Sequence, residues 1–215
     1  MGPDNNQITV DLDKCSLPMS LQELFGRAGP VHIEVGSGKG TFLLNQARLH
    51  PEINFLGIEW ANKYYRSSVD RMRRWDVGNV RILRADARDF IRRYLGDGSV
   101  SAFHVYFPDP WPKKRHHKRR FFRRDNLLEV IRSLAPGGEL HTATDHADYF
   151  EAMCRVLLHE PVTASWLEQN TFRPTDAAET GEWVGSNFER KYLKEGRKIY
   201  TLALRKITTP AFTPL

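Results

Sequence analysis

Cysteine is nearly absent: Cys15 and Cys154 are the only two in 215 residues, and neither has a CxxC partner. A disulfide framework and a structural zinc site are thereby excluded. No segment approaches the roughly 18 apolar residues of a membrane span. Met1 to Lys14 holds three Asp and no apolar run, so neither a secretory signal nor a transit peptide is expected there. The cytoplasm is the expected compartment. The eight histidines are scattered, and adjacent His116 and His117 have no carboxylate at ligand spacing, so no metal site is expected. Repeats and linker-like composition are missing too.

What remains is 40% hydrophobic and 27% charged, the profile of one soluble globular domain over residues 1–215. The net charge is +6, yet Lys113 to Arg124 alone contains eight basic residues and no acid, which leaves −2 for the rest of the chain. A slightly acidic body with one concentrated basic segment is suited to meet a polyanion at one place. Nucleic acid is the first candidate, and an anionic membrane the second.

Short β-rich apolar runs alternate with amphipathic stretches, the pattern of an α/β fold with a mostly parallel sheet and helices on both faces. Strands are predicted at Val31–Val35, Phe55–Glu59, Val80–Ala85, Ala102–Phe107 and Glu139–Thr144. Helices are predicted at Phe42–Leu49, Asn62–Trp75, Arg88–Leu95 and Asn126–Leu134. A further helix over His146–Leu158 has Asp145 as its expected N-cap. Residues 1–30 form an N-terminal segment. Trp166–Glu182 reads as a loop, part of a substrate-side segment over 167–190, and Lys198–Arg205 as an antiparallel strand closing the sheet edge.

The first candidate site is Glu34-Val35-Gly36-Ser37-Gly38-Lys39-Gly40, between the first strand and the first of these helices. Gly36 and Gly38 allow a sharp turn close to a ligand, and the helix start offers unpaired N–H groups. The spacing is neither GxGxxG nor that of a P-loop, so the turn alone is also a plain strand-to-helix connection. Acids at successive strand ends add weight: Glu34, then Glu59, then Asp86. At the carboxyl ends of parallel strands such groups line the ligand crevice. Glu59 is placed to accept ribose hydroxyls and Asp86 to meet an adenine amine, while Glu34 could hold the glycine loop or a cationic ligand end. Taken singly, each is as well explained as a solvated acid or a helix cap.

The fourth strand runs into Phe107-Pro108-Asp109-Pro110-Trp111-Pro112-Lys113-Lys114-Arg115-His116-His117-Lys118-Arg119-Arg120. Two prolines stiffen the chain about Asp109. Trp111 offers a stacking face, and the cations after it suit phosphates. A solvated helix face is the plainer account of the charges, but it leaves unexplained why they begin at a strand end.

These residues resemble the bacterial tRNA (guanine-N7-)-methyltransferases, a class I S-adenosylmethionine-dependent family, over roughly Val31 to Arg205. PDPWPKKRHHKRR is similar to that family's PDPW-x-K-x-R-H-x-K-R-R signature almost letter for letter. The resemblance implies a Rossmann-like class I methyltransferase fold, S-adenosylmethionine as cofactor, and methyl transfer to guanine N7 in tRNA, at the variable-loop guanosine of position forty-six. It implies that Glu34, Glu59 and Asp86, with Gly36 and Gly38, hold the cofactor, and that Asp109 both lines that site and takes part in catalysis. Lys113 and Asp145 fall at substrate contacts, and Arg115, His116, His117, Lys118, Arg119 and Arg120 in the RNA-interacting stretch. Ser186-Asn187-Phe188-Glu189 stands where the family has Thr-x-[Phe/Tyr]-Glu, another substrate motif. Three other readings stay open: an exocyclic-amine methyltransferase, usually marked by (Asp/Asn)-Pro-Pro-(Tyr/Phe/Trp); a nicotinamide-dependent dehydrogenase; and an RNA-binding protein without catalysis.

Overall fold

The computed structural model describes residues 7–208. Its strands are β1 (Val31–Val35), β2 (Asn54–Ile58), β3 (Val80–Leu83), β4 (Val100–Tyr106), β5 (Leu134–Thr144), β6 (Leu167–Asn170) and β7 (Tyr200–Lys206). Helices are α1 (Leu21–Phe25), α2 (Thr41–Leu49), α3 (Asn62–Arg74), α4 (Ala87–Tyr94), α5 (Arg124–Ser133), α6 (Ala147–Cys154), α7 (Pro161–Ala164) and α8 (Asn187–Lys194). The strands join one sheet in the order β3-β2-β1-β4-β5-β7-β6. β1 to β5 pair with one another in parallel; β7 runs antiparallel to both β5 and β6. Between β3 and β4 in sequence the chain crosses over, so the ends of β1 and β4 border a crevice where ligands bind in open α/β sheets.

Continuous apolar runs make strands buried on both faces, as in β2, where all five residues are buried. One face packs Phe90, Ile91, Leu127, Val130 and Met153 of α4, α5 and α6 against Ile33, Phe103 and Leu140. The other packs Phe42, Leu43, Val69 and Met72 of α2 and α3 against Phe55, Val80 and Ile82. Each such side chain, fully buried, stabilises the fold by about 1.5–3 kcal/mol. Alternation along β1 sends Val31 and Ile33 to the first face, and His32 and Glu34 to the second. There His104 bridges His32 Nδ1 at 3.1 Å and the Tyr106 hydroxyl at 2.9 Å. Burial lowers the His32 pKa to about 4. His32 therefore stays neutral, and the stability that depends on this is lost as pH falls from 6.5 toward 4.

Four expectations are corrected. Residues 167–170, within the expected loop, form β6, which pairs Leu167 with Lys206 and covers β7, so Lys198–Arg205 is not the outermost strand. Asp145 does not cap α6; His146 does, its Nδ1 accepting from Tyr149 N, and Arg197 takes the Asp145 carboxylate. The helix after it is α-helical to Cys154 and π-helical from Arg155 to His159. β3 and β4 end at Leu83 and Tyr106, short of Ala85 and Phe107; at β4 the reason is that Phe107 takes φ +50° and leaves the strand.

Candidate active site

The glycine loop is fixed from below. Gly36 N and Ser37 N both donate to Ile58 O, at 2.8 and 3.1 Å, so the loop folds over the end of β2. Glu59 then ties its crest: one carboxylate oxygen accepts from Gly38 N at 2.8 Å, the other from Ala61 N at 2.7 Å. Gly40, at φ +68°, starts α2 where any Cβ would run into Ser68 and Met72 of α3. The loop-holding role suggested for Glu34 thus falls to Glu59. Glu34 instead lies beneath the loop, with Oε2 lacking a partner among the described residues. Burial, and then the Glu59 charge, push its carboxyl well above the usual range. Ser37 Oγ is similarly buried and unpartnered.

Asp86 caps α4 through Arg88 N at 2.9 Å and pairs with the Arg88 guanidinium at 2.6 Å. Those side-chain hydrogen bonds hold its carboxyl below the usual range despite partial burial. The helix-cap reading therefore describes its present bonds, while its side chain still borders the crevice.

Beyond β4, Phe107 N donates to Ala143 O at 2.7 Å, and Trp111 takes φ +43°. Both lie in the left-handed region, which costs about 1–3 kcal/mol per residue and requires surrounding support. Arg120 supplies it. The residue is 8% exposed, its Nε donates to Pro110 O at 2.8 Å, and its guanidinium lies 4.7 Å over the Tyr149 ring. The resemblance sets Arg120 in the RNA-interacting stretch; here its side chain is buried and held to a carbonyl rather than presented to solvent. Lys114–Arg119 form a 3₁₀ turn with Lys113 at its start. Arg119 stacks 4.9 Å over Trp111, whose ring meets His116 edge-on at 5.7 Å. Arg123 and Arg124 are paired with Asp125 and Glu160. Lys113, Lys114, Arg115, Lys118 and Arg119 remain exposed, and His117 is half-buried.

The C-terminal motif closes the far wall. Ser186 caps α8 by accepting from Glu189 N at 3.1 Å, and Asn187 Nδ2 donates to Thr41 Oγ1 at 2.8 Å. Phe188, half exposed, stands beside the loop at Gly38. Glu189, expected at a substrate contact, is fully buried, and its carboxylate accepts from the N–H groups of Trp183, Val184 and Gly185. Asp145 lies to one side, bound to Arg197 at 2.6 Å.

These elements enclose two adjoining clefts that share Gly36, Gly38, Tyr64, Tyr106, Phe107 and Phe188. One, of about 460 Å³, has Glu34 and Ser37 at its floor and Lys39, Arg71 and Lys191 on its walls. The other, of about 390 Å³, brings Glu59, Asp86, Asp109, Trp111 and Arg119 together. All six expected cofactor residues thus border one or other of these adjoining clefts, and of the basic run only Arg119 does. Sequence reasoning missed Tyr64, Tyr106, Arg71 and Lys191. Lys191 was findable one helical turn after Asn187; the others carry no local signal. Among the described residues no group of three or more His, Cys, Asp and Glu is arranged to hold a metal, and no helix is long and apolar enough to cross a membrane.

A mostly parallel sheet with a glycine loop at its first strand end, acids at the next and an antiparallel β7 is the Rossmann-like arrangement of the class I methyltransferases. A solved antibiotic-related methyltransferase overlays with a TM-score of 0.59 at 16% identity, over 94% of this chain and 96% of that one. The family model described as putative methyltransferase matches residues 28–202. The tRNA (guanine-N(7)-)-methyltransferase of Alkalilimnicola ehrlichii is 40% identical over 193 residues, 90% of this chain and 79% of that protein. The enzyme of the same description from Geobacillus kaustophilus is 38% identical, over 83% and 80% of the two chains. The chain belongs to the tRNA (guanine-N(7)-)-methyltransferase family.

Proposed function

We propose that this enzyme transfers the methyl group of S-adenosylmethionine to N7 of a guanine in tRNA, the variable-loop guanosine at position forty-six, in the cytoplasm. The observation that carries the reading is the proline-flanked Asp109 facing the same cleft as the glycine loop, Glu59 and Asp86. The site fits the cofactor: a buried carboxyl oxygen and a buried hydroxyl without partners among the described residues lie under a loop of positive-φ glycines, as suits a ligand with a cationic amino-acid end. Glu34, Ser37 and the loop would take that end, Glu59 the ribose hydroxyls through its free lone pairs, and Asp86 the adenine amine. When bound, the cofactor supplies an electrophilic methyl on a sulfonium.

Guanine N7 exposes a lone pair, so no residue needs to remove a proton from it. The ring becomes cationic as the bond forms. Asp109 serves by hydrogen-bonding the guanine edge and favouring that charge, and Trp111 and Phe188 by flanking the base. Lys113 suits a phosphate or the guanine carbonyl, since a cation against a ring turning cationic opposes the reaction. The test is incubation with labelled S-adenosylmethionine and unmodified bulk tRNA, followed by strand scission specific for N7-methylguanosine. Label in an exocyclic amine, or none in tRNA, overturns the reading.

Two further results are expected. Glu59→Ala raises the cofactor dissociation constant roughly 10- to 100-fold, since the lost charge-assisted bonds contribute about 1.5–3 kcal/mol. Glu59→Gln recovers only part, because its amide keeps one acceptor oxygen and turns two donors toward another N–H. Calorimetry showing wild-type cofactor affinity in both variants refutes the placement. The triple variant Arg115→Ala, Lys118→Ala, Arg119→Ala lowers the slope of log K for tRNA against log salt by about two to three units, at roughly 0.7–0.9 per phosphate contact. Arg120→Ala leaves that slope alone and lowers the transfer rate and thermal midpoint, since what it loses is the pin on Pro110. Equal slopes for all three proteins would remove the basic run from the RNA interface.

A further inference from the structure

α3 carries five cations, Lys63, Arg66, Arg71, Arg73 and Arg74, against one acid, Asp70. Among the described residues none of the five is paired with a carboxylate, as is also true of Arg115 and Arg119 in the basic run, whereas Arg123 and Arg124 there are paired. Arg71 turns inward to Thr41 Oγ1 at 2.7 Å. Lys63, Arg66, Arg73 and Arg74 stay exposed on the outer face.

The helix does not account for them. Arg73 and Arg74 complement the negative end of the macrodipole, but Lys63 and Arg66 sit near the positive end, where a cation costs stability. Exposed aromatic rings accompany the charges. Trp60 is 68% exposed and Tyr64 37% exposed at the cleft rim; Trp75, 53% exposed at the far end, has the Arg48 guanidinium stacked 4.6 Å over it. Interleaved unpaired cations and exposed aromatic rings suit phosphates and bases, and a solvated helix face needs no such rings. The placement completes the picture: Trp60 and Tyr64 line the same cleft as Trp111 and Arg119, and α3 runs on from Tyr64 within a length of about 20 Å.

We propose that the outer face of α3 is a second RNA-contact surface, which grips the tRNA backbone together with Lys113–Arg119. This rests on tRNA being the substrate. The whole-chain charge conceals it, because α3 nets +4 while the acids elsewhere cancel it.

The test is equilibrium binding of unmodified tRNA across about 50–200 mM salt by wild type and by the quadruple variant Lys63→Ala, Arg66→Ala, Arg73→Ala, Arg74→Ala. The variant is expected to lose about three units of slope, so that its deficit narrows roughly 60-fold across that range, with cofactor affinity and thermal midpoint unchanged. The charge-keeping variant Arg66→Lys, Arg73→Lys, Arg74→Lys is expected to retain the slope. Parallel slopes for wild type and quadruple variant overturn the surface while leaving the methyltransferase reading intact; a wild type that neither binds nor methylates tRNA overturns that reading first. Binding of phosphatidylserine vesicles that the quadruple variant loses, with its tRNA slope unchanged, assigns the face to a membrane and also overturns the proposal.

Discussion

Asp109→Ala lowers the single-turnover rate of methyl transfer by about 10²–10³, the usual cost of removing one preorganised electrostatic group, while tRNA affinity stays nearly constant. The interaction between the carboxylate and the guanine grows as positive charge develops on the ring, so its loss acts on the transition state more than on binding. Geometry supports this assignment. Pro108 and Pro110 restrict the chain on either side of Asp109, Phe107 N is bonded to Ala143 O, and Arg120 holds Pro110 O, so the side chain is aimed before substrate arrives. Asp109 itself is exposed, and base and cofactor must exclude water before the carboxylate acts at full strength. Asp109→Asn keeps the shape and the hydrogen bond but not the charge, and is expected to recover part of the rate. Single-turnover measurements at saturating tRNA and cofactor decide it: a near-normal rate in Asp109→Ala removes the residue from catalysis.

Much of this site was legible because strand ends in a parallel sheet converge. Glu34, Glu59 and Asp86 could be grouped from the order of apolar runs, Asp109 was added by the family resemblance, and the structure sets all four on the two adjoining clefts. Direction was not legible. Period-two alternation puts Glu34 on the face of His32, beneath the loop, whereas Glu59, just past β2, turns back onto Gly38; of the two roles offered for Glu34, holding the loop passes to Glu59 by that difference. A charge count treats every Arg alike, yet Arg120 is buried against Tyr149 while Arg119 faces the cleft. β6 was invisible because Leu167-Glu168-Gln169-Asn170 has one apolar residue and no alternation; its pairing with β7 and the Glu168–Arg205 bridge at 2.9 Å make the strand. One residue separates the expected cap Asp145 from the actual cap His146, since Arg197 competes for the carboxylate.

Glu189 provides the sharpest separation between touching substrate and positioning what touches it. Its carboxylate accepts from three consecutive backbone N–H groups, Trp183 to Gly185, in a site with no exposure. Ser186 beside it caps α8, so this one carboxylate and one hydroxyl join the incoming loop to the helix that carries Asn187, Phe188 and Lys191 into the cleft. In Glu189→Ala the three donors lose their acceptor, and each buried orphan costs about 1–3 kcal/mol. A sum of several kcal/mol rivals the whole stability of an ordinary domain, so the loop is expected to open rather than bear it. Hydrogen exchange at residues 183–185 accelerates by two or more orders of magnitude, limited proteolysis cuts before α8, and transfer falls because Phe188 and Asn187 lose their place. Glu189→Gln, with one acceptor oxygen and an amide turned toward donors, is expected to lie between. A substrate contact behaves otherwise: tRNA KM rises while exchange at 183–185 stays at the wild-type rate, and that pattern would return Glu189 to the RNA interface.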